Sequence, residues 1–492
     1  MTLPTLRIVV DDREPLARFA SEFADVERFG ALRRGKSTVL EHLANLAARA
    51  GLAPPLVLPL SDAGFERAVG AARGGRPTLW LVLPTHLAVT ASDEDAVAFL
   101  KKLALLTEPT SLWSETAWTG ALVIDEAAMR ELAALPAADA SAWLTGLVAE
   151  TPAVRDGLQL SDLHEPAALL ELLSGSFSAR HFNEVQQDRH LVIKRSTDVA
   201  KMRREHDAYG LLPDHLQPYF VQPFGFEEAP DGTASYRMHR LLVPDLAVQW
   251  VHRAFAPDQF DRLLEQLMRF IDERPRRAVP GTDGRAIADE LYGAKVQRRC
   301  RALAATEVGA RTDALLDAGG IAGGISGLHQ RYSALRPQLE SSRSFEELAI
   351  SHGDYCFSNI LYNAASRSIH LIDPRGATTV DELYSDPYYD LAKLSHSVLG
   401  GYDLIVAERT LPRFRQEMAL ELDAERHDDP QIAERFSAAL ADRGFSLPLV
   451  RLYEASLFLS MLPLHADAPR RVLALALRCA QILDALEAQD IR

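Results

Sequence analysis

The chain has 492 residues, 47% hydrophobic and 25% charged, which describes a globular protein too long for one ordinary core and sets an expectation of two or three domains. A formal net charge of −15 argues against nucleic acid or an anionic membrane surface as the main partner, since both require basic patches. Cys300, Cys356 and Cys479 are too few and too scattered for a disulfide framework or a zinc site, so a reducing cytoplasm is the expected location. No secretion signal or membrane span is expected, because MTLPTLRIVVDDREP lacks an apolar signal core and no run of about eighteen apolar residues occurs.

In chain order, residues 6–10 (LRIVV) predict a buried strand and Ser37 to Ala50 an amphipathic helix. LVLPL at 56–60, LWLVLP at 79–84 and ALVID at 121–125 predict further strands, with a helix from about Asp93 to Leu105. Strands alternating with helices imply an α/β layer of parallel or mixed strands with helices on both faces, over residues 1–160. Within it, Gly30 to Ser37 (GALRRGKS) satisfies the phosphate-loop pattern G-x-x-x-x-G-K-[ST]. A working phosphate loop leaves directly from a buried strand, whereas FADVERF precedes this one, so a basic loop ahead of a helix is expected. Asp93 and Asp95 offer a D-x-D pair for a metal, but Ser92 three residues before Asp95 reads as a helix cap. Asp11 and Asp12 read as loop or cap residues.

The first strand, the long loop, the helix after GKSTVLEHL, and later ALVIDEAAM and DLHEPAALLEL together resemble the sugar-nucleotide nucleotidyltransferase fold. That family has a glycine- and arginine-rich loop and a proline-lysine pair where this chain has DDREPLARF, and a metal-binding aspartate where it has Leu83-Pro84-Thr85-His86. The resemblance therefore implies a degenerate domain kept for binding, assembly or regulation.

Residues 161–174 read as a linker. GSFSARHFNEV, QQDRH and LVIK then predict a hairpin, with Gly175, Ser176 and Ser178 in a small-residue turn and Lys194 ending the second strand. A helix follows in DVAKMRREHDAYGLL, and YRMHRLL (236–242) predicts a strand leading to a link. Residues 256–348 are helical in pattern, interrupted by AGGIAGGISG at 318–327, which lacks the flanks of a dinucleotide site and is expected to be a flexible connection.

The stretch from Ile350 to Gly376, ISHGDYCFSNILYNAASRSIHLIDPRG, is the most informative. His352, Asp354 and Asn359 have the spacing H-x-D-x-x-x-x-N, and two strands joined by a hairpin would bring Asp354, Asn359 and Asp373 to one end. Phosphoryl transfer needs that set: one carboxylate for a hydroxyl, and an amide plus a carboxylate for magnesium on nucleotide phosphates. Cys356 has no evident activating partner and reads as a packed thiol.

HGDYCFSN, LIDPRG and SDPYYDLAKLSHS, in that order, resemble the aminoglycoside phosphotransferase and choline kinase family of small-molecule kinases. The resemblance implies an α+β bilobal protein-kinase-like domain, with an N-lobe at 175–245 and a C-lobe at 246–492 holding the catalytic loop 352–376. It implies a phosphotransferase with an alcohol acceptor, using ATP or GTP with Mg2+. Asp354 would orient or accept the hydroxyl proton, and Asn359 and Asp373 would hold the metal. Lys194 would contact the phosphates, aligned by Glu205, with Glu184 and Asp207 as alternative partners. Ser176 and Ser178 would help cradle the phosphates, and Met238 would face the adenine or serve as core. Asp390 would hold the catalytic loop, while Arg375 and Lys393 would meet an anionic group or pair with acids. In HADAPRR, His465 reads as structural. The pairing of the two domains resembles proteins of bacterial surface-polysaccharide pathways, which implies a sugar, polyol or amino-alcohol acceptor. A bifunctional kinase and nucleotidyltransferase, or a nucleotide-sensing pseudokinase, are the alternatives.

Overall fold

The computed structural model describes residues 4–488 apart from 23, 35–36, 60–76, 115–116, 156–158, 175–183, 188–189, 253–254, 416–418 and 425–429. The chain divides into two units, residues 1–176 and 177–492.

The first unit is built on a six-stranded sheet. Its strands are β1 (Thr5–Asp11), β2 (Leu56–Leu58), β3 (Thr78–Pro84), β4 (Thr110–Trp113), β5 (Trp118–Ile124) and β6 (Ala153–Val154), in the order β2-β1-β3-β5-β4-β6. TLWLVLP in β3 is buried along almost its whole length, as a central strand covered on both faces must be. β1 runs parallel to β2 and β3, but β5 is antiparallel to both β3 and β4, so the sheet is mixed. The short connection from β4 to β5 leaves room only for a hairpin, which reverses the chain.

The helices of this unit are α1 (Val39–Arg49), α2 (Asp93–Leu103), α3 (Glu126–Ala134), α4 (Ala137–Val148) and α5 (Pro166–Ser174). α1 starts at a capping box: Thr38 Oγ1 accepts from Glu41 N at 3.0 Å and Glu41 Oε2 accepts from Thr38 N at 2.7 Å. α2 is capped by Ser92, whose hydroxyl accepts from Asp95 N and donates to Asp95 Oδ2, while Asp93 pairs with Arg49 at 2.6 Å. The D-x-D pair is thus spent on capping and an ion pair. α3 and α4 cover one face of the sheet, where Met129, Leu132, Ala140 and Leu144 meet Trp80, Val82, Leu122 and Ile124.

Two expectations change here. Arg33–Arg34 pairs antiparallel with Ser37–Thr38, so GALRRGKS forms a small hairpin before α1; Gly35 and Lys36 lie outside the described residues. Residues 161–174 are not a linker. Leu160–Asp162 pairs with Leu87–Val89, and α5 buries Leu169, Leu170, Leu172 and Leu173, which draw the segment into the first unit.

The second unit begins with an antiparallel sheet of β7 (Glu184–Gln187), β8 (Leu191–Ser196), β9 (Pro223–Glu228) and β10 (Ala234–His239), in the order β7-β8-β10-β9. α6 (Val199–Leu211) crosses between β8 and β9, and its Met202 joins Tyr236 and Met238 of β10 in a small core. The rest is mostly helical and includes α7 (Pro257–Glu273), α8 (Pro387–Val398), α9 (Leu447–Met461) and α10 (Pro469–Glu487). Three-stranded pairing joins β11 (Arg276–Ala278), β12 (Glu347–Ile350) and β15 (Tyr384–Ser385), and a hairpin joins β13 (Ile360–Asn363) to β14 (Ser368–Leu371).

The glycine-rich patch is a tight turn between helices Glu307–Ala318 and Gly324–Leu339. Gly320 and Gly323 have φ of +91° and +72°, and a Cβ at Gly327 would stand 2.1 Å from the Ala322 carbonyl oxygen. Close backbone approach, and not looseness, accounts for these glycines. The segment Leu447–His465 is one helix long and apolar enough to cross a membrane, but 78% of it is buried inside the unit, which marks a core helix.

Candidate active site

Lys194 lies on β8 directly opposite Tyr236 of β10, and only 3% of it is exposed. An ammonium so buried must be paired. Its Nζ is 2.6 Å from Glu205 Oε2 on α6 and 2.9 Å from Asp373 Oδ1. The Tyr236 hydroxyl donates to the same Glu205 oxygen at 3.0 Å, and Lys201 approaches the other at 3.7 Å. Burial, the largest effect, disfavours the Lys194 charge, yet Asp373 and Glu205 together raise its pKa above the ordinary value. The alternative partners are placed elsewhere: Asp207 accepts from His206 at 2.8 Å, and Glu184 stands opposite Arg195 in the ladder.

Asp373 follows β14 in a left-handed conformation, φ +55°. The loop behind it is fastened to α6. Gly376 has φ +80° and lies so close to the helix that a Cβ would sit 2.6 Å from the Arg204 carbonyl carbon, and Ala377 N donates to Arg204 O at 2.9 Å. Glycine is required here on both counts, for conformation and for space.

The loop that leaves β12 at Ile350 is held by Asp390 of α8. This fully buried carboxylate accepts from His352 N, Gly353 N and the Ser351 hydroxyl, each at 2.9 Å, and pairs with buried Arg274 at 2.8 Å. His352 spans the gap between the two active-site loops. Its Nε2 lies 3.0 Å from Ile372 O, and its Nδ1 accepts from Asp354 N at 3.2 Å, which assigns the proton to Nε2. Burial, the largest cause, pushes the His352 pKa down and favours the neutral ring that this arrangement requires.

Asp354 is consequently rigid but accessible. Asn359 Nδ2 donates to its backbone oxygen at 2.9 Å and to its Oδ2 at 3.0 Å, and Lys393 Nζ is 2.7 Å from its Oδ1. Its side chain remains 40% exposed. Cys356 is buried, and burial pushes its thiol up to about 12, so it is a packing residue. Lys194, Glu205, Asp354, Asn359 and Asp373 all line one cavity of ≈ 610 Å³. Met238 does not. It is 93% buried and lines a different cavity, ≈ 440 Å³, that also touches Glu205 and Asp373. Ser176 and Ser178 lie outside the described residues. His465 is buried against the Tyr402 hydroxyl, as a structural histidine is.

Asn359 uses its amide nitrogen on Asp354, which leaves its carbonyl oxygen as a ligand atom, and Asp373 uses only Oδ1 on Lys194. A carboxylate and an amide oxygen in one polar cavity fit a hard divalent cation such as Mg2+. Lys393, expected to meet an anionic group or pair with acids, pairs with Asp354. Arg274 is 116 residues from Asp390 in sequence, and no local pattern marks it.

Residues 169–411 match the model of the phosphotransferase enzyme family, APH. No curated protein is matched. Among solved structures, the chain is similar to a thermostable mutant of aminoglycoside phosphotransferase APH(4)-Ia, at 13% identity and a TM-score of 0.36 over 64% of this chain and 97% of that one. It is likewise similar to glucosamine kinase in complex with glucosamine, ADP and inorganic phosphate, at 12% identity and a TM-score of 0.38 over 65% and 88%. A GDP and kanamycin complex of APH(2")-IIia gives 14% identity and a TM-score of 0.36 over 66% and 99%.

Proposed function

We propose that the phosphotransferase-family domain of this chain is a small-molecule kinase that moves the γ-phosphoryl group of ATP or GTP to a hydroxyl of a sugar, polyol or amino-alcohol precursor. The observation that carries this reading is the convergence of Lys194 and Glu205 with Asp373, and of Asp354 with Asn359, on one cavity. No covalent intermediate is needed, so positioning and charge stabilisation must supply the rate.

Lys194, held by Glu205, presents a fixed positive charge to the β- and γ-phosphates. Asn359 and Asp373 would hold Mg2+, which supplies charge neutralisation on the phosphates when bound. Asp354 accepts a hydrogen bond from the acceptor hydroxyl, aims its oxygen at phosphorus and takes the proton as the new bond forms. Asn359 and Lys393 keep the Asp354 carboxylate in one orientation. The purine would lie beside the 236–242 link.

The acceptor side of the cavity is basic. Lys295, Arg299 and Arg375 line it; Lys295 and Arg375 also act on the Glu290 carboxylate, and Lys295 donates to the Tyr389 hydroxyl at 3.0 Å. This favours an acceptor that carries a carboxylate or phosphate beside its hydroxyl, as precursors of surface polysaccharides do when already acidic. The test is acceptor-dependent ADP release with neutral, amino and acidic members of one sugar or polyol series. Turnover with none of them would overturn the kinase reading, and turnover with neutral and amino members alone would overturn only the charge preference.

A further inference from the structure

The first unit carries a cluster of side chains that phosphotransfer does not use. Glu14 follows β1, His86 follows β3, and His164 lies between Leu160–Asp162 and α5. Glu14 Oε2 is 2.9 Å from His86 Nδ1, and Glu14 Oε1 is 2.8 Å from His164 Nε2. The three candidate ligand atoms all lie within 4.8 Å of one another. We propose that Glu14, His86 and His164 form a binding site for a divalent transition-metal ion of the zinc or cobalt kind.

Four observations support this. First, an ion about 2.1 Å from each of three ligand atoms in tetrahedral array would set them roughly 3.4 Å apart, within the 4.8 Å that bounds the three candidate atoms. Second, His86 Nδ1 is buried and its 2.9 Å contact with Glu14 Oε2 is poorly aligned for a hydrogen bond, although it is close enough to hold the Glu14 pKa below its ordinary value. A buried ring nitrogen without such a partner is costly, and a cation between the three groups would satisfy it. Third, His164 Nδ1 lies 2.8 Å from Asp162 Oδ1, the outer carboxylate that commonly fixes the tautomer of a metal-binding histidine and leaves Nε2 for the ion. Fourth, Glu14 and His86 open on a cavity of ≈ 390 Å³, also lined by Asp11 and Asp162, that leaves space for water or a further ligand.

The placement has a topological reason. β1 and β3 are parallel neighbours, so Glu14 and His86 both emerge past their carboxyl ends, where open α/β sheets form a crevice. Phe29 packs edge-on against both rings, 6.3 Å from His86 and 5.1 Å from His164, and restricts their rotation. Two imidazoles and a carboxylate suit Zn2+ or Co2+ better than Mg2+, which separates this site chemically from Asn359 and Asp373.

The experiment is a Co2+ titration of the full chain after metal removal, in excess Mg2+ to fill the hard-cation site, followed by visible absorption and by displacement with Zn2+. One equivalent of Co2+ should give visible bands of low coordination number, lost in His86→Ala and in His164→Ala. Asp162→Asn keeps all three ligands and should weaken binding by about 10–100-fold. His370→Ala, in the second unit, should change nothing. Bands that survive His86→Ala and His164→Ala, a wild type with no bands, or equal affinity in Asp162→Asn would overturn the site and leave Glu14 as an ordinary partner of two histidines. Asp162→Asn decides the matter if the ligand variants fail to fold.

Discussion

At the scale of single residues, charge and burial assign the roles. Asp354 is the one carboxylate in the cavity fixed by both an amide and an ammonium while still 40% exposed. Asp354→Ala should lower turnover by about 10²–10⁴-fold, the usual worth of a positioned base, with nucleotide affinity nearly unchanged; rapid-quench turnover beside equilibrium nucleotide binding checks both halves. Asp373→Ala should instead weaken nucleotide binding in a Mg2+-dependent way, read as a flattened Mg2+ titration. A third residue-scale prediction concerns pH. Burial, the largest cause, raises Asp403 to about 7. The folded chain therefore holds a proton there that the unfolded chain, with a carboxylate near 3.9, has released, so stability present below about pH 4 is lost as pH rises towards 7. Asp403→Asn should remove that loss, and melting temperatures of both proteins from pH 4 to 7 should diverge steadily; parallel curves would refute the assignment.

At the scale of elements, the two loops of the site depend on supports that no local pattern announces. Asp390 ties the Ser351 hydroxyl and the backbone of residues 352–353 to α8, and Arg274, just past the end of α7, compensates its charge. Arg274→Met should cost about 3–5 kcal/mol in denaturant unfolding of the second unit, because it leaves a buried carboxylate without its cation. This contrast explains what could be read in advance. Lys194, Glu205, Asp354, Asn359 and Asp373 could be singled out because their order along strand and helix ends follows a pattern, and the structure brings all five to one cavity. Arg274 could not, since a buried ion pair needs only proximity in space. For the same reason 161–174 read as a linker: its leucines show their purpose only when α5 meets the rest of the unit. The antiparallel turn of β5 was hidden because a strand's apolar pattern is the same in either direction.

At the scale of the whole molecule, the groups proposed to handle phosphate lie in the second unit, and the Glu14, His86 and His164 cluster lies in the first. GALRRGKS is the closest formal match to a phosphate loop, yet it begins in a 3-10 turn, Phe29–Ala31, and Arg33–Arg34 pairs with Ser37–Thr38 in a hairpin. Lys36→Ala should accordingly leave ATP turnover unchanged; a collapse in a folded variant would return that segment to the chemistry.

The contact of Gly376 with the backbone of Arg204 and Glu205 also has a mechanical meaning. Glu205 pairs with Lys194, and Asp373 is three residues from Gly376, so the helix and the loop are joined directly. A ligand or modification that displaced α6 would therefore carry the Glu205 carboxylate and the Asp373 loop together, acting as a clutch on both arms of the site.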